Sequence, residues 1–166
     1  MKVKLIITLV FALALFALMG VAVAEEQAMT GVEGNYMLVS QEFPDGTRHV
    51  PPLVGGMINI TSTHWNLNHW WSNAEGEVFS SSKIAEYSMT DSTYIEKLLY
   101  SATNEGAGGG PMKYNFEHKI EIVPVTRDGT KISIQFPLGT PLVAFDGNKL
   151  TVTEKGVSTD HWEKVE

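Results

Sequence analysis

The chain contains no cysteine, which excludes disulfide-stapled miniature folds, thiolate metal sites and thiol nucleophiles. The same absence removes the lipid-modifiable cysteine that a bacterial lipoprotein carries just after its leader. Positive charge is scarce as well: 12 Lys and Arg stand against 19 Asp and Glu, and no basic cluster interrupts the acidic balance. Such a surface repels phosphate backbones and anionic lipid heads, so nucleic acid is not an expected partner. Also missing are a repeated strand–helix alternation, a Gly-x-Ser-x-Gly elbow and a helical HExxH spacing. Gly108-Gly109-Gly110 lacks the Lys and Ser/Thr of a phosphate-binding loop, so the stretch from Gly106 to Pro111 is expected to be a surface loop.

One long apolar run is present, over residues 5–23, preceded by Lys2 and Lys4 and closing on Ala22-Val23-Ala24. This is the pattern of a secretory signal peptide, with cleavage expected before Glu25. A single-pass anchor is the alternative, since the run approaches the length of a short transmembrane helix. The small-residue motif and the acidic Glu25-Glu26 favour cleavage. The expected product is therefore secreted or periplasmic, with no stable membrane anchor after cleavage. Residues 25–166 are enough for one domain with a hydrophobic core. Removing Lys2 and Lys4 leaves ten cations against nineteen acids, a formal charge of −9.

Across that domain, segment after segment alternates apolar and polar residues with period two between turn residues, which predicts half-buried antiparallel strands. In residues 131–136, Ile132, Ile134 and Phe136 point one way while Lys131, Ser133 and Gln135 point the other. Arg127-Asp128-Gly129-Thr130 is the expected hairpin turn before them, and Asp146-Gly147-Asn148 a second reversal, between residues 142–145 and 149–153. Residues 36–40, 53–62, 63–71 and 119–125 read as further strands, and 77–87 more weakly. Pro44-Asp45-Gly46 and Pro51-Pro52 read as loops. Residues 91–104 fit two patterns: Ile95, Leu98, Leu99 and Ala102 follow helical spacing, whereas a strand puts Tyr94, Glu96, Leu98 and Tyr100 on one face. The β-branched and aromatic content of residues 92–100 favours a strand. The total is about eight to ten strands, which form a barrel or a sandwich.

A resemblance decides between these. Gly34-Asn35-Tyr36-Met37-Leu38-Val39-Ser40, followed by Phe43-Pro44-Asp45-Gly46-Thr47, resembles the opening of lipocalin-like (calycin) barrels, where a Gly-x-aromatic motif begins the first strand. Ile60-Thr61-Ser62-Thr63-His64-Trp65 resembles the second-strand pattern of small exported bacterial lipocalin-like domains. Residues 92–101 resemble their central strand, and Gly147-Asn148-Lys149-Leu150 with Trp162-Glu163-Lys164-Val165 their closing hairpin. The chain departs from better-known lipocalins in having Tyr36 where Trp is usual, no disulfide and no clear C-terminal helix. The resemblance implies a closed antiparallel up-and-down β-barrel.

Three of the four tryptophans fall between residues 65 and 71. In one regular strand Trp65, Leu67, His69 and Trp71 share a face, the more apolar one, while His64, Asn66, Asn68 and Trp70 share the other. The first face is expected to line the barrel, where small barrels either pack solid or hold one small ligand. A lone histidine among indoles is ordinarily a satisfied core residue; the functional alternative makes His69 a polar group orienting a ligand. Trp162 reads as a barrel plug. Glu96 is expected on an outward, solvated face; turned inward, burial would raise its pKa and make it a proton donor. The candidate ligand-binding residues are thus Tyr36, Trp65, Leu67, His69, Trp71, Glu96 and Tyr100. The histidines at 49, 64, 69, 118 and 161 show no metal-ligand pattern, and only a bulge would bring His64 and His69 onto one face. No metal or cofactor is implied. Asn59-Ile60-Thr61 matches a glycosylation sequon, read as coincidence because it falls within an expected strand.

Three functions remain open. The leading one is a noncatalytic protein that holds a small apolar or amphipathic molecule in the barrel. The second is an exported protein-interaction or inhibitor module with a solid core, docking by loops such as residues 103–112. The third, least supported, is an isomerase- or cyclase-type enzyme using Glu96 or His69 as acid or base.

Overall fold

The computed structural model describes residues 31–72, 76–104, 110–136 and 141–165. The expected leader lies outside the described residues, as does most of the 106–111 loop. The described chain is all β, in twelve strands: β1 (Gly34–Glu42), β2 (Arg48–His49), β3 (Val54–Ile60), β4 (His64–Ser72), β5 (Val78–Met89), β6 (Thr93–Thr103), β7 (Lys113–Asn115), β8 (Ile120–Asp128), β9 (Lys131–Gln135), β10 (Leu142–Asp146), β11 (Lys149–Glu154) and β12 (Ser158–Val165).

Ten of them form a closed antiparallel barrel in the order β1-β3-β4-β5-β6-β8-β9-β10-β11-β12, and β12 pairs back onto β1. Apart from the short β2 and β7, which pair with β1 and β6 alone, each strand lies beside its sequence neighbours. This is an up-and-down barrel, and closure leaves its ten strands no open edge. Both expected Asp-Gly hairpins form. Gly129 and Gly147 each take φ 59° as the first residue of a two-residue loop, between the closing pairs Asp128 with Lys131 and Asp146 with Lys149. Glycine at that position suits a II′ hairpin, whose twist matches that of the flanking strands.

Residues 93–103 are strand and not helix. Helical spacing there is overridden because each flank of β6 finds a backbone ladder, with β5 on one side and β8 on the other. Strand β4 pairs without a bulge on both sides, so its two faces alternate as expected. Trp65, Leu67 and Trp71 pack against the buried core, while His64, Asn68 and Trp70 are exposed. Trp70 still finds a seat: its ring lies across Gly55 on the neighbouring strand, where a Cβ would come within 2.1 Å of it.

The barrel interior is filled by residues such as Tyr36, Leu38, Val54, Tyr87, Tyr94, Leu150 and Trp162. Gly56 takes an inward position where a Cβ would lie 2.6 Å from the Asn68 carbonyl oxygen and 3.0 Å from the Trp162 ring. The glycine therefore lets the tryptophan pass close to the wall of β3.

Candidate functional site

The interior is not packed solid. A cavity of about 380 Å³ lies inside the barrel, its wall largely apolar, with Trp65, Leu67, Phe136, Val143, Phe145 and Leu150 among the residues that face it. Most of these come from inward positions of strands whose alternate residues face out, so the cavity is a direct product of period-two patterning closed into a ring.

Two lysines and two glutamates also line it: Lys83, Lys119, Glu96 and Glu121. Glu96 sits on β6 between Tyr94 and Leu98, and this face turns inward, contrary to the outward, solvated placement expected from sequence. The reason is tertiary. Glu96 lies opposite Glu121 and next to the Tyr94–Val123 pair, whose two side chains are both buried. Its Oε2 accepts hydrogen bonds from the Tyr94 hydroxyl at 2.7 Å and from the Trp65 indole Nε1 at 3.0 Å. The same indole N–H also lies 3.0 Å from the Tyr94 oxygen, which closes a three-membered polar cluster in an apolar wall.

Burial raises the Glu96 pKa above the ordinary carboxylate value. The Tyr94 and Trp65 hydrogen bonds pull the other way, Glu121 adds to the rise and Lys83 opposes it. Desolvation dominates because the carboxylate has exchanged bulk water for two donors on one oxygen. Tyr94 is pushed upward by its burial, then by the charge of Glu96 and by its own donated hydrogen bond. A buried phenol that already donates to a partly buried carboxylate stays protonated.

Of the seven candidate ligand-binding residues, the structure brings Trp65, Leu67 and Glu96 to the cavity. Tyr36 is wholly buried behind its wall, edge-on to Phe145 with ring centres 6.0 Å apart, and its hydroxyl donates to the Val32 carbonyl at 2.9 Å. His69 and Trp71 face inward but lie off the cavity, in an aromatic cluster with Trp162. The ring centres of His69 and Trp71 are 5.1 Å apart, and those of His69 and Trp162 are 5.9 Å apart. Trp162 fills the interior there, as a plug would. Burial, helped by Lys83, depresses the His69 pKa to about 4, and its Nε2 is sealed from solvent with no hydrogen-bond partner among the described residues.

Tyr100 does not share the face of Tyr94 and Glu96. An extra residue in β6 shifts the register, so that Ala85 pairs with Leu98 while Ile84 pairs with Tyr100. Past this bulge Tyr100 joins the outer face, where its ring meets those of Tyr114 at 6.4 Å and Phe116 at 5.5 Å.

Sequence reasoning missed Lys83, although a signal was present: Lys83 is in phase with Ala85, Tyr87 and Met89, all buried. It also missed Lys119 and Glu121, an ion pair on the cavity wall in which the Lys119 side chain is 70% exposed. No group of three or more potential ligands capable of holding a metal ion occurs among the described residues. His64 lies on the outer face, 3.8 Å from Glu86 and opposite in direction to His69.

No family model matches this chain, and no curated protein or solved structure matches it either.

Proposed function

We propose that this protein is a noncatalytic, lipocalin-like binding protein that is exported after loss of its leader and holds a small apolar or amphipathic molecule inside its barrel. The observation that supports this most directly is the cavity itself, about 380 Å³ and within the usual size range of small-molecule pockets. Its lining has the expected division of labour. Apolar side chains provide burial, and the Trp65–Tyr94–Glu96 cluster provides one polar point at which a ligand is oriented. The interaction-module reading required a solid interior, which counts against it.

Trp65 faces the cavity and its indole N–H takes part in the polar cluster, so it is a built-in reporter. Titration with a panel of lipids, sterols and aromatic compounds should change tryptophan emission and raise the melting temperature for at least one class. A panel that moves neither signal would refute the binding reading.

One observation favours a second reading. Glu96 is a partly buried carboxyl with a raised pKa on the wall of a cavity, which suits a general acid. His69 does not reach the cavity, so acid–base chemistry of this kind would rest on Glu96 alone. Recovering a chemically altered compound after incubation with the protein, but not with the Glu96→Gln variant, would replace the noncatalytic reading with this one.

A further inference from the structure

The geometry points to a ligand with an apolar body and a single anionic head, a carboxylate, seated with its head at Lys83. This rests on the binding function proposed above and narrows it to a chemical class. The two lysines and two glutamates on the cavity wall are not equivalent. Lys119 is already paired with Glu121. Glu96 engages Oε2 with Tyr94 and Trp65, while its Oε1 has no hydrogen-bond partner among the described residues yet is not sealed away from contact. Lys83 lines the same cavity and has neither an ion-pair nor a hydrogen-bond partner among the described residues.

The neighbours of Lys83 explain why it is the anchor. It projects from the inner face of β5 opposite Leu67 on β4 and Ser101 on β6, neither of which carries a charge. His69, on the same face of β4, is held neutral by its burial. Glu96 is close enough to influence Lys83 electrostatically but makes no ion pair with it. An ammonium on the wall of an apolar cavity is costly unless paired. A carboxylate entering with its chain in the apolar space supplies that partner, and the Glu96 carboxyl, biased by burial toward its protonated form, can donate from Oε1 to the same head. A cationic head would be repelled by Lys83, and a neutral one would leave it unpaired.

Three probes that share one alkyl body separate these cases: decanoate, decanol and decylamine, titrated against the intact protein by calorimetry. Decanoate should bind about tenfold tighter than the other two, the scale of one charge-assisted pair. Lys83→Met should remove that preference and leave decanol within about twofold of its original affinity, whereas Lys83→Arg should retain it. Lys97→Met, which breaks the pair with Glu86 away from the cavity, should leave the preference intact. If decanol or decylamine binds as tightly as decanoate, or if the preference survives Lys83→Met, the anionic-head inference falls while the binding function stands. Failure of all three probes would overturn the anionic-head inference, and the wider panel of lipids, sterols and aromatic compounds then decides the binding function separately.

Discussion

Replacing His69 with leucine tests how dry the far half of the barrel is. The imidazole is packed between Trp71 and Trp162, its Nε2 has no hydrogen-bond partner among the described residues, and its pKa falls from 6.5 to about 4. Burial is the main cause and the Lys83 charge the lesser one. As pH falls through 6.5, the unfolded chain takes up a proton that the folded chain refuses until about 4. The stability present above 6.5 is therefore lost progressively across that window and levels off below it. At about 1.4 kcal/mol per pH unit, the loss attributable to this one group is roughly 3 kcal/mol.

Glu96 and Asp160 act in the opposite direction, because burial raises both of their pKa values and stability is lost as pH rises through them. They are common to both proteins and cancel in a difference. Urea unfolding of the wild type and of His69→Leu, followed by far-ultraviolet circular dichroism from about pH 8 to about pH 4, gives that difference directly. The variant should match or exceed the wild type at the alkaline end, since an unpartnered polar atom has been removed. Its advantage should then grow by roughly 3 kcal/mol toward the acid end. Two curves that stay parallel within about 0.5 kcal/mol would refute the reasoning, because a histidine with that profile is solvated and not buried.

Two further perturbations probe the wall and the polar cluster. Gly56→Ala pushes a Cβ against the Asn68 carbonyl and the Trp162 ring, and should lower unfolding free energy by about 1–3 kcal/mol in a urea titration. Tyr94→Phe removes a hydrogen bond that holds the Glu96 pKa down. The Glu96 carboxyl, followed by carbon NMR, should then titrate about one pH unit higher or more, and an unchanged midpoint would show that the 2.7 Å contact carries no weight in solution.

What the sequence determined by itself was the local grammar. Period-two patterning marked residues 131–136 as a strand, the Asp-Gly reversals marked both hairpins, and the even spacing of Trp65, Leu67, His69 and Trp71 put them on one inward face. These follow from backbone geometry within a few residues, and β4 keeps them because its ladders are unbroken. Tertiary structure decided everything that depends on which strand lies opposite. A bulge in β6 turns Tyr100 outward while leaving Glu96 inside, and one extra residue in a ladder leaves no mark in an alternation pattern. Lys83 shares a phase with Ala85, Tyr87 and Met89, but only its pairing with Leu67 across the sheet sets it on the cavity wall. Whether aromatic residues close over a hollow or fill it depends on how ten strands share their volume around a ring, and no single segment encodes that quantity.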